Sequence, residues 1–331
     1  MVAITDVLMA ATAIKGVADA TPLVPSALSR RLGGDLWLKL ETCQPIGAFK
    51  LRGASNAVAH LPAGASGVTC CSTGNHGRAV AYAAAARGLR AVICMSELVP
   101  EAKVDGIRAL GAEVHIHGRS QDEAQIEALR LSRNEGLVDI SPFDDPHVIA
   151  GQGTIALEML TARPDLDTLL IPLSGGGLAA GMAVAARALN PDIRLIGITM
   201  DRGAAMAASI EAGHPVEVEE VPSLADSLGG GIGLKNKHSF RLCRDLLDEV
   251  VLVTEAEIYA ALQALYYEDR MVAEGACVVG IAALMAGKVT PSPQMGTVIT
   301  GRNVGMAQFT RVITGQDVIL GDLTVKGHPY G

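Results

Sequence analysis

Aromatic residues make up only 3% of this 331-residue chain, and alanine and glycine take much of their place. The 37 glycines exceed ordinary usage, which points to tight strand–helix turns and close backbone packing. Positive charge is not in excess: 27 Lys and Arg face 35 Asp and Glu, a formal net charge of −8 with no basic block. That composition excludes a nucleic-acid or anionic-membrane surface as the chain's business. No apolar run reaches the ~18 residues of a membrane span. The opening stretch "MVAITDVLMAATAIKG" lacks the basic n-region of a signal peptide, so it reads as a first helix of a cytoplasmic protein. The six cysteines (Cys43, Cys70, Cys71, Cys94, Cys243, Cys277) contain no CxxC pair. They read as reduced core residues, and zinc-type spacing is missing.

What is present is a long alternation of short apolar runs and alanine-rich stretches. Half the residues are apolar and about a fifth charged, which supports a large core and excludes disorder. "GVTCCS" precedes "GNHGRAVAYAAAARG", "LRAVICM" precedes "PEAKVDGIRALG", and "AEVHIHG" precedes "SQDEAQIEALRLSRNEG". Each helical stretch opens near Ser, Asn or Pro and closes on Gly, as capping chemistry predicts. A second series follows "PFDDPHVIAGQGT", with strands at "DTLLIPL", "IRLIGITM", "EVVLV" and "MGTVITG". Such alternation predicts doubly wound parallel sheets in two α/β lobes. Residues 1–55 and 146–331 are expected to form a large domain, with 56–145 inserted as a smaller one. Little chain follows Gly315, so no added regulatory domain is expected.

Four segments carry candidate chemistry. In "PIGAFKLRGA", residues 45–54, Lys50 follows Gly47, Ala48 and Phe49 with no amphipathic period. It is either a solvated side chain at a helix start or a buried amine with chemistry to do, delivered by a turn with the helix expected to start only afterwards, near Arg52. "IPLSGGGLAAG", residues 171–181, runs from a strand through Ser174, Gly175, Gly176 and Gly177 to a helix opening near Leu178. Consecutive glycines let N–H groups converge on an anion, and the helix N-terminus adds positive dipole. Gly175, Gly177 and Gly181 with Asp201 also make a loose dinucleotide fingerprint, its third glycine displaced. "CSTGNHGRAVAYAAA", residues 71–85, crowds Ser72, Thr73, Asn75 and His76 around Gly74 at a strand-to-helix turn. That is more hydrogen bonding than a helix cap needs. "TVITGRNV" ends a late strand on Thr300, Gly301, Arg302 and Asn303. Together these are what a pyridoxal phosphate site requires: an amine, a phosphate loop, and side chains for the ring oxygen and nitrogen.

The motifs "LKLETCQPIGAFKLRGA", "STGNHGRAVAYAA", "AKVDGIRALGAEV", "PFDDPHVIAGQGTIALEML", "PLSGGGLAAGMA" and "VITGRNV" occur in one order along nearly the whole chain. In this the chain resembles the serine/threonine dehydratases, fold-type II pyridoxal-phosphate enzymes with the tryptophan synthase β-like fold. The resemblance implies that Lys50 forms the Schiff base with the cofactor and removes the substrate α-proton. It implies that Phe49 packs beside the ring and that Asn75 donates to its phenolic oxygen. Ser174, Gly175, Gly176, Gly177 and Leu178 would cradle the phosphate, which in such sites protonates the leaving hydroxyl. Thr300 would face the pyridine nitrogen, where a serine is usual. Ser72, Thr73, Gly74, Asn75 and His76 would receive the substrate carboxylate, and a homodimer is implied.

Three departures from the family pattern stand out. Arg302 is expected beside the cofactor. Thr73 stands where dehydratases have alanine and racemases a serine that acts as acid/base on the opposite face, so Thr73 is a candidate catalytic residue beside Lys50 while racemisation is not expected. Thr199 stands where the racemase branch has a metal-binding acid, so no metal is expected. With Thr300 a hydroxyl, the ring is a weak electron sink and elimination is favoured over transamination. The expected reaction is loss of water from a β-hydroxy amino acid to give a 2-oxo acid and ammonia. A hydroxyectoine-derived diaminobutyrate is the narrower expectation for the substrate, with threonine, serine or threo-3-hydroxyaspartate as alternatives. A nicotinamide-dependent oxidoreductase or a non-catalytic two-lobed binding protein are the rivals from other classes; neither gives Lys50 a role.

Overall fold

Strands buried on both faces by crossover helices read as continuous apolar runs, and those runs are the strands of this protein. The computed structural model describes residues 2–72, 74–99 and 101–331. Its main strands are β1 (Leu23–Pro25), β2 (Asp35–Leu40), β3 (Gly67–Cys71), β4 (Ala91–Met95), β5 (Glu113–Ile116), β6 (Leu137–Asp139), β7 (Thr168–Pro172), β8 (Arg194–Met200), β9 (Glu249–Val253) and β10 (Gln294–Ile299). One sheet has the order β1-β2-β10-β7-β8-β9, parallel throughout except for the β1 edge. The other has the order β5-β4-β3-β6 and is wholly parallel. A small antiparallel hairpin pairs Val318–Leu320 with Leu323–Val325.

The period of two along each strand divides the core. In β7, Leu169 and Ile171 join the cluster of Ile155 and Ala180, while Leu170 joins Ile258 and Leu262 on the opposite face. In β3, Val68 and Cys70 pack with Ala79 and Ile93, and Cys71 packs with Ala128 and Leu131. The sequence runs predicted seven of these strands, and β1, β2, β6 and the late hairpin lay outside them. The helix Pro146–Ala162 is capped by Asp145, whose carboxylate accepts from His147 N–H (2.8 Å) and Val148 N–H (2.9 Å), with Pro146 in the first turn. It packs backbone to backbone against the helix Gly177–Leu189: a Cβ on Gly181 would stand 2.2 Å from the Ile149 carbonyl oxygen. Here the abundance of small residues has its structural use.

A buried ion network anchors the helix Lys50–Ala59. The Arg52 guanidinium is 0% exposed and donates to Glu41 (2.8 and 2.9 Å) and to Glu158 (2.6 and 2.9 Å). Lys39 pairs with the same Glu158. Two cations thus balance two carboxylates, as burial demands. Among the described residues no helix is long and apolar enough to cross a membrane.

Candidate active site

Three adjacent parallel strands, β2, β10 and β7, deliver their C-terminal ends to the same edge of the first sheet. Ligands of parallel α/β sheets bind outside that edge. A cleft of ≈ 970 Å³ opens there, lined by Lys50, Asn75, the glycines after β7, and Thr300.

Lys50 is the first residue of its helix, two positions before the start expected near Arg52. The preceding turn is stitched to the end of β10: Phe49 N–H donates to Thr300 O (2.9 Å), Arg302 N–H to Gly47 O (2.9 Å), and Asn303 Nδ2 to Ile46 O (3.0 Å). Lys50 Nζ donates to the Pro142 carbonyl at 2.8 Å and lies 5.3 Å from the Phe49 ring centroid. Burial lowers this amine to about 8, since an apolar setting penalises its charge.

Behind the glycine loop stands the short helix Ser239–Leu246. Ser239 Oγ donates to Gly175 O (2.7 Å) and Cys243 Sγ to Gly176 O (3.5 Å). Because peptides are planar and trans, the N–H groups of Gly176 and Gly177 then lie on the opposite edge, away from that helix. The first-turn amides of Gly177–Leu189 add further donors without helical partners. Phe143 seals the loop from another side; a Cβ on Gly175 would lie 2.2 Å from its Cδ1. Ser174 and Leu178 complete the lining.

Across the cleft, β3 ends at Cys71 and is followed by Ser72, whose Oγ accepts from Gly74 N–H (3.3 Å). Thr73, expected to act here, lies outside the described residues. Asn75 opens the helix Asn75–Ala85, and its Nδ2 donates to both oxygens of Glu274 at 3.0 and 3.1 Å. The His76 ring is held at 2.7 Å from Ile140 O and is pushed down to about 3 by burial and by the Lys50 charge. It is a neutral ring donating into the backbone, so what His76 offers the loop is its main chain. Thr300 is buried, with Oγ1 3.3 Å from Cys277 Sγ; burial pushes that thiol up to about 12 and keeps it protonated.

Two expectations need correction. Arg302 is exposed, lies against Gly47 and is not among the described residues that line the cleft; Asn303 lines it instead. The reason is register, since the bridge Ala48–Gly301 turns the next side chain outward. Asp201, the acid of the loose dinucleotide fingerprint, belongs to a separate concavity with Glu211 and Leu252. Among the described residues no group of three or more His, Cys, Asp or Glu is placed to hold a metal.

The model of the family described as "Pyridoxal-phosphate dependent enzyme" matches residues 14–301. The chain belongs to the pyridoxal-phosphate dependent enzymes. Its relatives within that family include a protein of Sinorhizobium fredii named "Putative threonine dehydratase", 57% identical over 89% of this chain and 90% of that one. An L-threonine ammonia-lyase of Thermotoga maritima is 39% identical over 95% of this chain and 78% of its own. Among solved structures, maize serine racemase superposes with a TM-score of 0.88 at 31% identity, covering 94% of this chain and 96% of that one. A threonine deaminase of Solanum lycopersicum also gives 0.88, at 34% identity, covering 93% and 86%. The fold is therefore that of the fold-type II pyridoxal-phosphate enzymes, the cofactor is pyridoxal phosphate, and the enzyme is a lyase of the dehydratase type. A nicotinamide-dependent oxidoreductase is excluded by the same findings.

Sequence reasoning missed Phe143, Ser239 and Glu274. Phe143 and Asp144 sit in the quoted motif "PFDDPH", and Asp144 caps the Ser239 helix through the N–H groups of His238 (2.7 Å) and Ser239 (3.0 Å). Glu274 lies in "VAEGACVVG", where a lone acid beside a buried apolar run was the available signal.

Proposed function

We propose that this enzyme eliminates water from a β-hydroxy amino acid, the enamine product passing through an imine to a 2-oxo acid and ammonia. One observation carries the reading: a Lys50 amine lowered to about 8 shares its cleft with the hydroxyl of Thr300 at the end of β10, while the neighbouring Glu274 carboxylate is taken up by Asn75, Asn303 and Ser227. The donors present fit pyridoxal phosphate. Ser174, Gly175, Gly176, Gly177 and Leu178 hold the phosphate, whose approach only glycine permits beside Phe143. Lys50 would be the covalent attachment, Phe49 would pack beside the ring, Asn75 would donate to the phenolic oxygen, and Thr300 would face the pyridine nitrogen. When bound, the cofactor supplies an electrophilic carbon and an electron-accepting ring.

The chain's own residues then decide the outcome. Lys50, with a midpoint close to neutrality, accepts the α-proton. Thr300 has no acidic proton to give, so it leaves the ring nitrogen uncharged and electron withdrawal modest; expulsion of a β-hydroxyl outruns slower carbanion chemistry. Main-chain N–H groups of the loop between Ser72 and His76 receive the substrate carboxylate.

Within this class the substrate is a β-hydroxylated diaminobutyrate of the kind formed when the hydroxyectoine ring is opened. Its support is the cleft mouth, where Glu217, Glu220 and Asp226 present three carboxylates from one loop against the two cations Arg78 and Lys103. A cationic side chain suits that rim, and an acidic one such as that of 3-hydroxyaspartate does not. L-Threonine or L-serine is the second reading, favoured by the names of the relatives. The enzyme acts as a cytoplasmic homodimer. Ammonia and 2-oxo acid release from all four amino-acid types tests the proposal: the diamino substrate gives the highest kcat/KM, and far faster turnover of threonine or serine overturns it. Lys50→Ala loses the visible cofactor band and activity together; a wild-type protein that gains no band with pyridoxal phosphate would sink the whole reading.

A further inference from the structure

Glu274 is 4% exposed and, among the described residues, has no ion-pair partner. An unpaired buried carboxylate is costly unless several hydrogen bonds hold it. Here three neutral donors converge from three parts of the chain. Asn75 Nδ2 reaches both oxygens, Asn303 N–H donates to Oε1 at 2.9 Å, and Ser227 Oγ donates to Oε2 at 3.0 Å. The other end of the Asn75 amide is also occupied: its Oδ1 accepts from Asn303 Nδ2 at 2.6 Å.

A side-chain amide has two ends of similar shape and opposite polarity, and only its partners decide which way it faces. With Glu274 ionised, the Nδ2 end must face the carboxylate. A flipped Asn75 would set Oδ1 against two carboxylate oxygens and Nδ2 against the Asn303 amide donor. One Nδ2 proton serves Glu274, and the second remains to be used. A carboxylate behind an amide also polarises its N–H groups and strengthens them as donors.

We propose that Glu274 is a positioning residue for the cofactor ring: it fixes the Asn75 amide so that a polarised N–H is presented to the ring's phenolic oxygen. The inference rests on the assignment of Asn75 to that oxygen. Ser227 extends the arrangement to the acidic loop at the cleft mouth, so the ring and the substrate-side loop share one anchor.

The test uses the holoenzyme and five variants: Asn75→Ala, Glu274→Gln, the double variant of these two, Glu274→Asp, and Asn303→Asp. Glu274→Gln keeps shape but presents an N–H₂ to the donors. It is expected to shift the visible cofactor band and its pH titration, and to lower kcat/KM by about 10- to 100-fold, the range for a lost hydrogen bond to a charged group. Added to Asn75→Ala, it causes no further spectral shift. Glu274→Asp, with the carboxylate retained, recovers part of the wild-type spectrum. Asn303→Asp sets a carboxylate against Asn75 Oδ1 and produces a shift of the same sign, which keeps the test alive where Glu274→Gln does not fold. An unchanged band and titration in Glu274→Gln or Asn303→Asp overturns the proposal, as does full additivity with Asn75→Ala. A band unmoved in Asn75→Ala overturns both this inference and the assignment of Asn75; a band moved there but not in Glu274→Gln overturns the inference alone.

Discussion

Replacing Lys50 with methionine removes the amine and keeps a stem of comparable length, which isolates the free energy of holding that charge. In the cofactor-free protein the amine midpoint falls from 10.5 to about 8 because burial disfavours the ammonium. At ~1.4 kcal/mol per pH unit, that difference is a penalty of about 3 kcal/mol on the charged folded form. The side chain keeps partial exposure to the cleft, and screening trims the figure to roughly 2–3 kcal/mol. The sign follows from proton counting. Between about 8 and 10.5 the unfolded chain binds more protons at this residue than the folded chain does, so folding stability rises with pH across that window. Below about 8 the full penalty is present, and above 10.5 it is gone. Urea unfolding of cofactor-stripped wild type and Lys50→Met at a series of pH values reads the difference directly. Lys50→Met is expected to be the more stable by roughly 2 kcal/mol at pH 7, a gap that closes toward pH 10.5. Loss of the hydrogen bond to Pro142 O subtracts about 1 kcal/mol at every pH and leaves the slope unchanged. A gap that stays flat from pH 7 to 10.5 refutes a desolvated amine.

Arg52→Met leaves Glu41, itself 0% exposed, without its guanidinium. Unfolding free energy should drop by about 3–5 kcal/mol, and adding Glu41→Gln should restore part of it by removing the orphaned charge. Gly175→Ala places a methyl 2.2 Å from Phe143 Cδ1, so the ring or the loop must move. Equilibrium dialysis should show pyridoxal phosphate bound at least about tenfold more weakly, in line with overpacking costs of 1–3 kcal/mol. Phe143→Ala in the same chain should recover some of that affinity.

The parts of the fold that were legible in the sequence are those whose signal is local. β3, β4, β7, β8 and β10 are apolar runs buried on both faces, β9 is an apolar run half-buried at the sheet edge, and glycines and caps mark their turns. β2 was not read as a strand, because what makes "DLWLKL" a strand is its pairing with β10, about 260 residues away. The helix start at Lys50 escaped for a related reason: Phe49 provides no side-chain cap, and the turn before it is held by the backbone of residues 300–303. Lys50, Asn75 and the glycine loop were each visible as chemistry out of place, Thr300 only in combination with them, and all four meet in one cleft. Phe143, Ser239 and Glu274 were not visible in this way. Their identities are ordinary, and only a contact across 30 to 200 residues gives them a task.

The position of β10 explains why the site is so distributed. This late strand lies between β2 and β7, so the ends that carry Lys50, Thr300 and Ser174 become neighbours only after it has inserted. Without it the glycine loop has no amine beside it, and the turn before Lys50 lacks its partners Thr300 and Arg302. The pyridoxal phosphate site is thus a property of the completed sheet, since no single β-strand and helix unit contains it. A ligand that binds only the finished fold stabilises it in proportion to the logarithm of its excess over Kd. The cofactor therefore adds stability across the whole β2-β10-β7 junction, the part of the chain assembled from the most distant segments.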